Sequence, residues 1–169
     1  MSDTSSPAAA PAGFPADREL TWTRTLAYPP EAIFRAWTDP AWIVQWFCPL
    51  PWKAVHAETD VRTGGNSFIV MNGPNGEVVE NPGVYLEVVP GRRLVFTDAF
   101  TRTWQPCEGT PFMVGILDFE PDGEGTRMTA TVRHWSAEKS AEHAAMGFPA
   151  GWAVAHDQME AMLAREWRT

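Results

Sequence analysis

Thr126-Arg-Met-Thr-Ala-Thr-Val-Arg-His134 is followed, after Ser136 and Gly147, by Trp152-Ala-Val-Ala-His-Asp-Gln-Met-Glu-Ala-Met-Leu163. In the first run Met128, Ala130, Val132 and His134 share one face, while Arg127, Thr129, Thr131 and Arg133 share the other. That period of two sends one face of a strand inward and leaves the other to water. In the second run Trp152, Ala155, His156, Met159, Met162 and Leu163 recur at i, i+3, i+4. They form an apolar stripe along about four turns of a helix that begins after Pro149 and ends near Trp167. Neither surface is stable alone. A strand face needs a second layer and a helix stripe needs a sheet, so the pair predicts an α+β domain with a curved antiparallel sheet wrapped around the C-terminal helix.

The chain upstream supplies the rest of that sheet. Glu19–Leu26 alternates, with Leu20, Trp22 and Leu26 opposite three threonines, which is again a strand. Tyr28-Pro29-Pro30 stops pairing because proline donates no hydrogen bond to a ladder, and Pro30 opens a helix through Ile33, Phe34 and Trp37. Asp39-Pro40 starts a second short helix carrying Trp42, Ile43, Trp46 and Phe47, which Pro49 and Pro51 end. Turn signals at Gly64-Gly65, Asn72–Gly76, Asn81-Pro-Gly83, Pro90-Gly91 and Pro121–Gly125 then bound the β-rich runs. Those runs are Ser67–Met71, Val84–Val89, Leu94–Thr97 and Phe112–Phe119, with Asp98–Pro111 as a long loop carrying Arg102, Trp104 and Cys107. Ser136 caps a further helix up to Met146, which Gly147 terminates.

At 169 residues the chain accommodates one domain, 17–169, behind a Ser/Pro/Ala-rich leader, 1–16. The leader contains no Lys or Arg and no apolar core, so it reads as disordered rather than as a signal peptide. Thirteen Lys plus Arg against 21 Asp plus Glu give a net charge of −8, which argues against a nucleic-acid footprint or an anionic membrane surface. No apolar run is long enough to insert into a bilayer. Cys48 and Cys107 make neither a disulfide framework nor a zinc quartet, and a cytoplasmic protein with reduced thiols is the expectation. The four histidines, His56, His134, His143 and His156, show no metal-ligand spacing, so no metal and no cofactor are expected.

Seven segments in order resemble one family: Phe34-Arg-Ala-Trp-Thr-Asp-Pro40, Trp46-Phe-Cys-Pro49, Asp60-Val-Arg-Thr-Gly-Gly65, Gly83-Val-Tyr-Leu-Glu-Val-Val-Pro90, Arg93-Leu-Val-Phe-Thr97, Gly125-Thr-Arg127 and Gly151-Trp152. From about Arg18 to Ala164 the chain is similar to the domain of the activators of heat-shock-protein-90 ATPase homologues, within the START-like (SRPBCC) superfamily. The resemblance implies a helix-grip fold, Bet v-like, with a mostly apolar cavity between the C-terminal helix and the sheet. It leaves function open, since members include lipid, hormone and polyketide binders, cyclases and a cochaperone. The namesake's Asn/Trp-rich chaperone-stimulating motif has no counterpart before Arg18, so a chaperone partner and a stress-response role are expectations that rest on the family resemblance alone. Three positions depart from the family: Cys48 stands for Gly, His156 for Leu, and Ser67 for an aromatic whose ring Phe68 carries instead.

Candidate lining residues follow from parity and from the resemblance. The short helices offer Trp37 and Trp46, the strands Ile69, Met71, Tyr85, Phe96, Met113, Leu117 and Val132, and the long helix Trp152, His156 and Met159. Asp98, His134 and His156 are the candidates for directional polar contacts, and His156 with Asp98 or Tyr85 for acid–base chemistry. Histidine on an apolar face must find a hydrogen bond, and a polar cluster with His134 or Asp98 would orient a ligand. The expected function is binding of a small, largely apolar ligand (lipid-, polyketide- or aromatic-like), by a monomer or a dimer. A cyclase- or hydrolase-type enzyme and a chaperone-linked interaction module are the alternatives.

Overall fold

The structure, a computed structural model, describes residues 13–108 and 112–168. Strand β1 (Glu19–Leu26) leads into helices α1 (Pro30–Thr38) and α2 (Pro40–Trp46). Strands β2 (Lys53–Thr59), β3 (Asn66–Asn72), β4 (Val78–Val89) and β5 (Arg93–Thr97) follow. The hairpin β6 (Phe100–Thr101) and β7 (Gln105–Pro106) leads to β8 (Met113–Asp122) and β9 (Gly125–His134). Helices α3 (Ala137–Ala145) and α4 (Phe148–Glu166) complete the chain. The main sheet runs β1-β9-β8-β5-β4-β3-β2, every pairing antiparallel. This is the α+β helix-grip architecture expected from the alternation of 126–134 and the stripe of 152–163.

Bulges bend the sheet between Ala54 and His56 on β2 and between Tyr85 and Glu87 on β4. The concave face closes over Leu26, Ile33, Leu117, Met128, Met159, Met162 and Leu163, all with no exposure, each worth roughly 1.5–3 kcal/mol of transfer free energy. Helix α4 is tied to the β1 edge by Arg24. Its guanidinium donates to Asp157 at 2.6 Å, Glu160 at 2.8 Å and the Ala153 carbonyl at 3.1 Å. The other half of the sheet is covered by α2, where Ile43 packs with Ala54 and Ile69. Asp39 caps α2 by accepting from the Ala41 amide, and Ser136 caps α3 by accepting from Lys139.

Two local expectations change. Asn81-Pro82-Gly83 is not a turn but the middle of β4, paired with Ile69, Phe68 and Ser67 of β3. Strand β5 ends at Thr97 opposite Val84, so Pro82 lies beyond its ladder and its missing N–H disrupts nothing there. Gly83 is required by proximity: a Cβ would sit 2.7 Å from the Thr97 carbonyl oxygen. The expected 98–111 loop contains the small β6–β7 hairpin, while 109–111 lie outside the described residues. Most of the expected leader, residues 1–12, lies outside them too, and Phe14 sits 4.8 Å from the Arg133 guanidinium.

Candidate functional site

Where the cover given by α2 meets the cover given by α4, the sheet retains a cavity of about 150 Å³. Trp37 at the end of α1, Ile43 of α2 and Phe47 directly after α2 form its roof. Ser67 and Ile69 of β3, Asn81–Gly83 of β4, and Leu94, Phe96 and Thr97 of β5 form its floor, and Asp98, Phe112 and Met113 close one end. Five of the anticipated residues therefore line it: Trp37, Ile69, Phe96, Asp98 and Met113. Ser67 and Ile69 face inward while the Phe68 ring turns toward His56, 6.2 Å away, so the strand keeps its parity without the family's aromatic.

The cavity does not lie against α4, as the resemblance implied. That gap is filled by indole and imidazole rings. Trp152 stacks on His156 with centroids 5.6 Å apart, and Trp22 lies 4.6 Å from the same imidazole. Trp46 approaches Trp37 edge-on at 4.9 Å, and its Nε1–H donates to the Ala36 carbonyl at 2.9 Å. Trp46 thus backs the cavity wall rather than forming it. Leu117, Val132 and Met159 are fully or almost fully buried in the core, and Met71 packs on the Ile43 cluster. Tyr85 is buried beside Ser67, and burial holds its phenol protonated, with the pKa pushed up to about 12.

Trp37 is the partition between the two regions. Its ring stacks over the cavity-lining Phe96 at 6.3 Å and lies 5.6 Å from Trp152 and 5.8 Å from His156. His156 Nδ1 is 2.8 Å from the Trp152 carbonyl oxygen, which can only accept, so Nδ1 carries the proton. Burial chiefly, with Arg24 adding to it, drives the imidazole down to about 4, so the ring is neutral at pH 7 and Nε2 is a bare acceptor. Among the described residues, neither that Nε2 nor the Trp37 Nε1–H has a partner. Each orphan costs about 1–3 kcal/mol.

The expected His134–Asp98–His156 cluster does not assemble, because strand parity for His134 and Asp98 and helical spacing for His156 turned all three inward without fixing their depth. Both Asp98 oxygens accept from the Phe112 amide at 2.9 Å and one also accepts from Met113 at 3.0 Å, which fastens the start of β8. His134 Nδ1 donates to the Arg18 carbonyl and its Nε2 meets His143 Nδ1 at 3.0 Å, joining β9 to α3. Burial, reinforced by His134, lowers His143 to about 4. Cys48 adopts φ +64, which explains why a relative would carry glycine there. Burial raises its thiol to about 11, so it is not a reactive thiolate. Among the described residues no group of three His, Cys, Asp or Glu side chains is placed to hold a metal ion.

Sequence reasoning missed Asn81–Gly83, Thr97 and Phe112 because they were read as turn, strand end or loop edge. The Pro-Gly pair inside a β-rich run was the available signal, since glycine in a strand often marks a close approach. Another glycine makes a test. Gly115 of β8 pairs with Phe96, and a Cβ there would sit 2.5 Å from the Phe96 ring. Strand β4 and the cavity lie on the other side of β5, so Gly115→Ala is expected to push the ring into the cavity. An overpacking cost of about 1–3 kcal/mol should appear in urea denaturation, together with a displaced Phe96 signal in NMR spectra.

The curved sheet, the gripping helix and the walled cavity define a helix-grip domain of the Bet v/START-like class. Residues 27–164 match the family described as Activator of Hsp90 ATPase homolog 1-like protein, and the chain belongs to that family. A crystal structure of a protein from Nitrosomonas europaea is 33% identical, with 90% of this chain and 98% of that one covered and a TM-score of 0.85. A protein from Mycobacterium smegmatis is 25% identical over 90% of this chain and 94% of its own, with a TM-score of 0.74. A Rhodobacter sphaeroides protein at 22% identity and TM-score 0.79 covers 92% of this chain and 99% of its own, and shares the fold. No functionally curated protein matches the chain. No helix among the described residues is long and apolar enough to cross a membrane.

Proposed function

We propose that the chain is a binding protein for a small, largely apolar molecule about the size of a single ring, held beneath α1 and α2. The observation that carries this reading is the cavity itself. About 150 Å³ is walled by Trp37, Ile43, Phe47, Ile69, Leu94, Phe96 and Met113, with a few polar groups at one end. An apolar space of that size accepts a benzene-sized molecule, while drug-sized ligands occupy roughly 300–1,000 Å³. Membership in a family of ligand-binding domains supports the same reading. The acid–base alternative gains no support from His156, which burial keeps neutral and which, among the described residues, hydrogen-bonds to its own helix alone.

An NMR titration with toluene tests the proposal. Saturable shifts centred on the Ile69 and Phe96 amides are expected, and Ile69→Trp, which fills the space, should weaken the apparent affinity at least tenfold (roughly 1.4 kcal/mol). Wild-type protein with no saturable shifts, or Ile69→Trp binding as well as wild type, would overturn it.

A further inference from the structure

Asp98 puts a carboxylate at one end of an otherwise apolar space. Fourteen of the described residues line the cavity, and Asp98 is the only one of them with an ionisable side chain. Backbone alone holds it. Oδ1 accepts from the Phe112 amide at 2.9 Å and from the Met113 amide at 3.0 Å, and Oδ2 takes a second share of the Phe112 amide at 2.9 Å. A carboxylate has about four lone-pair sites, so these contacts leave one on Oδ2 without a donor among the described residues. No ion pair reaches Asp98 among those residues either. Lys139, whose amine lies 5.9 Å from the Phe112 ring centre, pairs with Glu142 at 3.0 Å instead. The rest of the chain, residues 1–12, 109–111 and 169, contains no Lys, Arg or His that could serve.

The walls around that carboxylate favour the same sign of partner. Trp37, Phe47, Phe96 and Phe112 all line the cavity. Trp37 stacks over Phe96 with centroids 6.3 Å apart and meets the Phe47 ring nearly at right angles at 6.2 Å. The face of an aromatic ring is electron-rich and attracts a cation. An anion is disfavoured on both counts, because it meets a carboxylate and π faces with no Lys, Arg or His in the lining to offset them. A neutral hydrocarbon fills the space but leaves the half-buried carboxylate without a counterion. An ammonium group answers the charge and the free lone pair together.

Resting on the binding reading above, we propose that the ligand is a small organic ammonium ion, a single ring bearing one protonated amine. Its ring lies beneath Trp37 and over Ile69, and its ammonium donates to Asp98 at the end closed by Phe112 and Met113. Reach is not limiting. Asp98 is itself part of the lining, and in a space of about 150 Å³ every position is close to it for an attraction that falls only as the inverse of distance. The other hydroxyl at that end, Thr97, is already engaged, donating to the Met113 carbonyl at 2.9 Å and accepting from the Ala99 amide at 3.1 Å. Asp98 is then the specificity-determining residue, and the two amides that fasten β8 also fix its direction. The net charge of −8 draws cations toward the domain as a whole.

The test compares cyclohexylamine, which is charged at neutral pH, with cyclohexanol, which has the same ring and nearly the same volume. Desolvating the ammonium opposes its attraction to the site, so calorimetry and NMR titration of the full chain should give the amine roughly tenfold tighter binding. The Phe112 and Met113 amides donate to the carboxylate, and their signals should shift far more with cyclohexylamine than with cyclohexanol. In Asp98→Asn, whose side-chain oxygen can still accept from both amides, the preference should vanish while cyclohexanol still binds. An alcohol that binds wild-type protein as tightly as the amine, or toluene that binds where the amine does not, would overturn the ammonium assignment and leave the cavity reading standing. A preference that survives Asp98→Asn, or amine binding that leaves the Phe112 and Met113 signals in place, would put the charge recognition elsewhere and overturn it too. If none of the three probes binds, the binding reading falls, and this inference with it. The affinities and the two amide signals are read in wild-type protein, so a variant that fails to fold does not decide the outcome.

Discussion

Replacing Trp46 by alanine should cost about 3–5 kcal/mol in urea unfolding, the range for emptying a buried tryptophan site. The melting temperature should fall by roughly 6–20 °C for a domain of this size. The side chain is 2% exposed and holds three neighbours at once: the Trp37 ring, the Phe47 ring and the His156 ring. Its Nε1–H satisfies the Ala36 carbonyl, and its own carbonyl accepts from Gln158, which also bonds Cys48 and Leu50. Trp46→Ala therefore opens a void where α1, α2 and α4 meet and orphans a carbonyl. Trp46→Phe keeps most of the ring and loses the hydrogen bond, so about 1–2 kcal/mol is expected. A cost below 1 kcal/mol for the alanine variant would mean that the aromatic cluster can collapse around the gap, and the description of Trp37 as a fixed partition would be wrong.

Acid should destabilise the domain through its buried histidine on α4. His156 has its pKa lowered to about 4 by burial, against an ordinary value of 6.5. The unfolded chain consequently binds more protons than the folded one between those two values. Stability is full above pH 6.5 and is lost as pH falls from 6.5 toward 4, about 3 kcal/mol for this one group. His143 is lowered to about 4 as well, in the same direction, but it is half-exposed and contributes less. Helix α4 and β1 surround His156 with Arg24, Asp157 and Glu160, which pair with one another. His156→Leu should remove most of the acid limb between pH 6.5 and 4 while leaving stability at pH 7.5 within about 1 kcal/mol of wild type. Parallel pH profiles for the two proteins, measured by chemical denaturation, would show instead that the imidazole binds protons equally in the folded and unfolded states.

The fold was legible because its two decisive segments are strongly periodic and because both surfaces demanded a partner layer. Strand β1 and helices α1 and α2 follow their alternation, proline and Asp39 signals closely. Position in depth was not legible. Strand parity placed Leu117 and Val132, and helical spacing Met159, on inward faces, where all three are buried, but nothing in a single sequence says whether an inward residue meets a cavity or the core. That is decided by how much volume opposes it, and here four tryptophans filled the space against α4 and moved the opening toward α2. The reading of Asn81-Pro82-Gly83 failed for a related reason. Proline and glycine punctuate a chain only when neighbouring strands need the groups they lack, and at that point β5 had already ended. His156 was identified as the sharpest polar feature, and its orphaned nitrogen became visible only when the Trp152 carbonyl claimed the other.

The aromatic packing that separates cavity from helix also has an optical consequence. Trp22, Trp37, Trp46 and Trp152 stand in a chain of contacts, with successive centroids 5.8, 5.6 and 4.9 Å apart along Trp22–Trp152–Trp37–Trp46. Indoles this close exchange excitation faster than they emit, and fixed mutual angles couple their transitions into a strong near-ultraviolet dichroism. Light absorbed by any of the four reaches Trp37, the member of the set that borders the cavity. The domain therefore carries its own unlabelled reporter, and a molecule arriving under α1 and α2 alters the emission of the whole ensemble rather than that of a single residue.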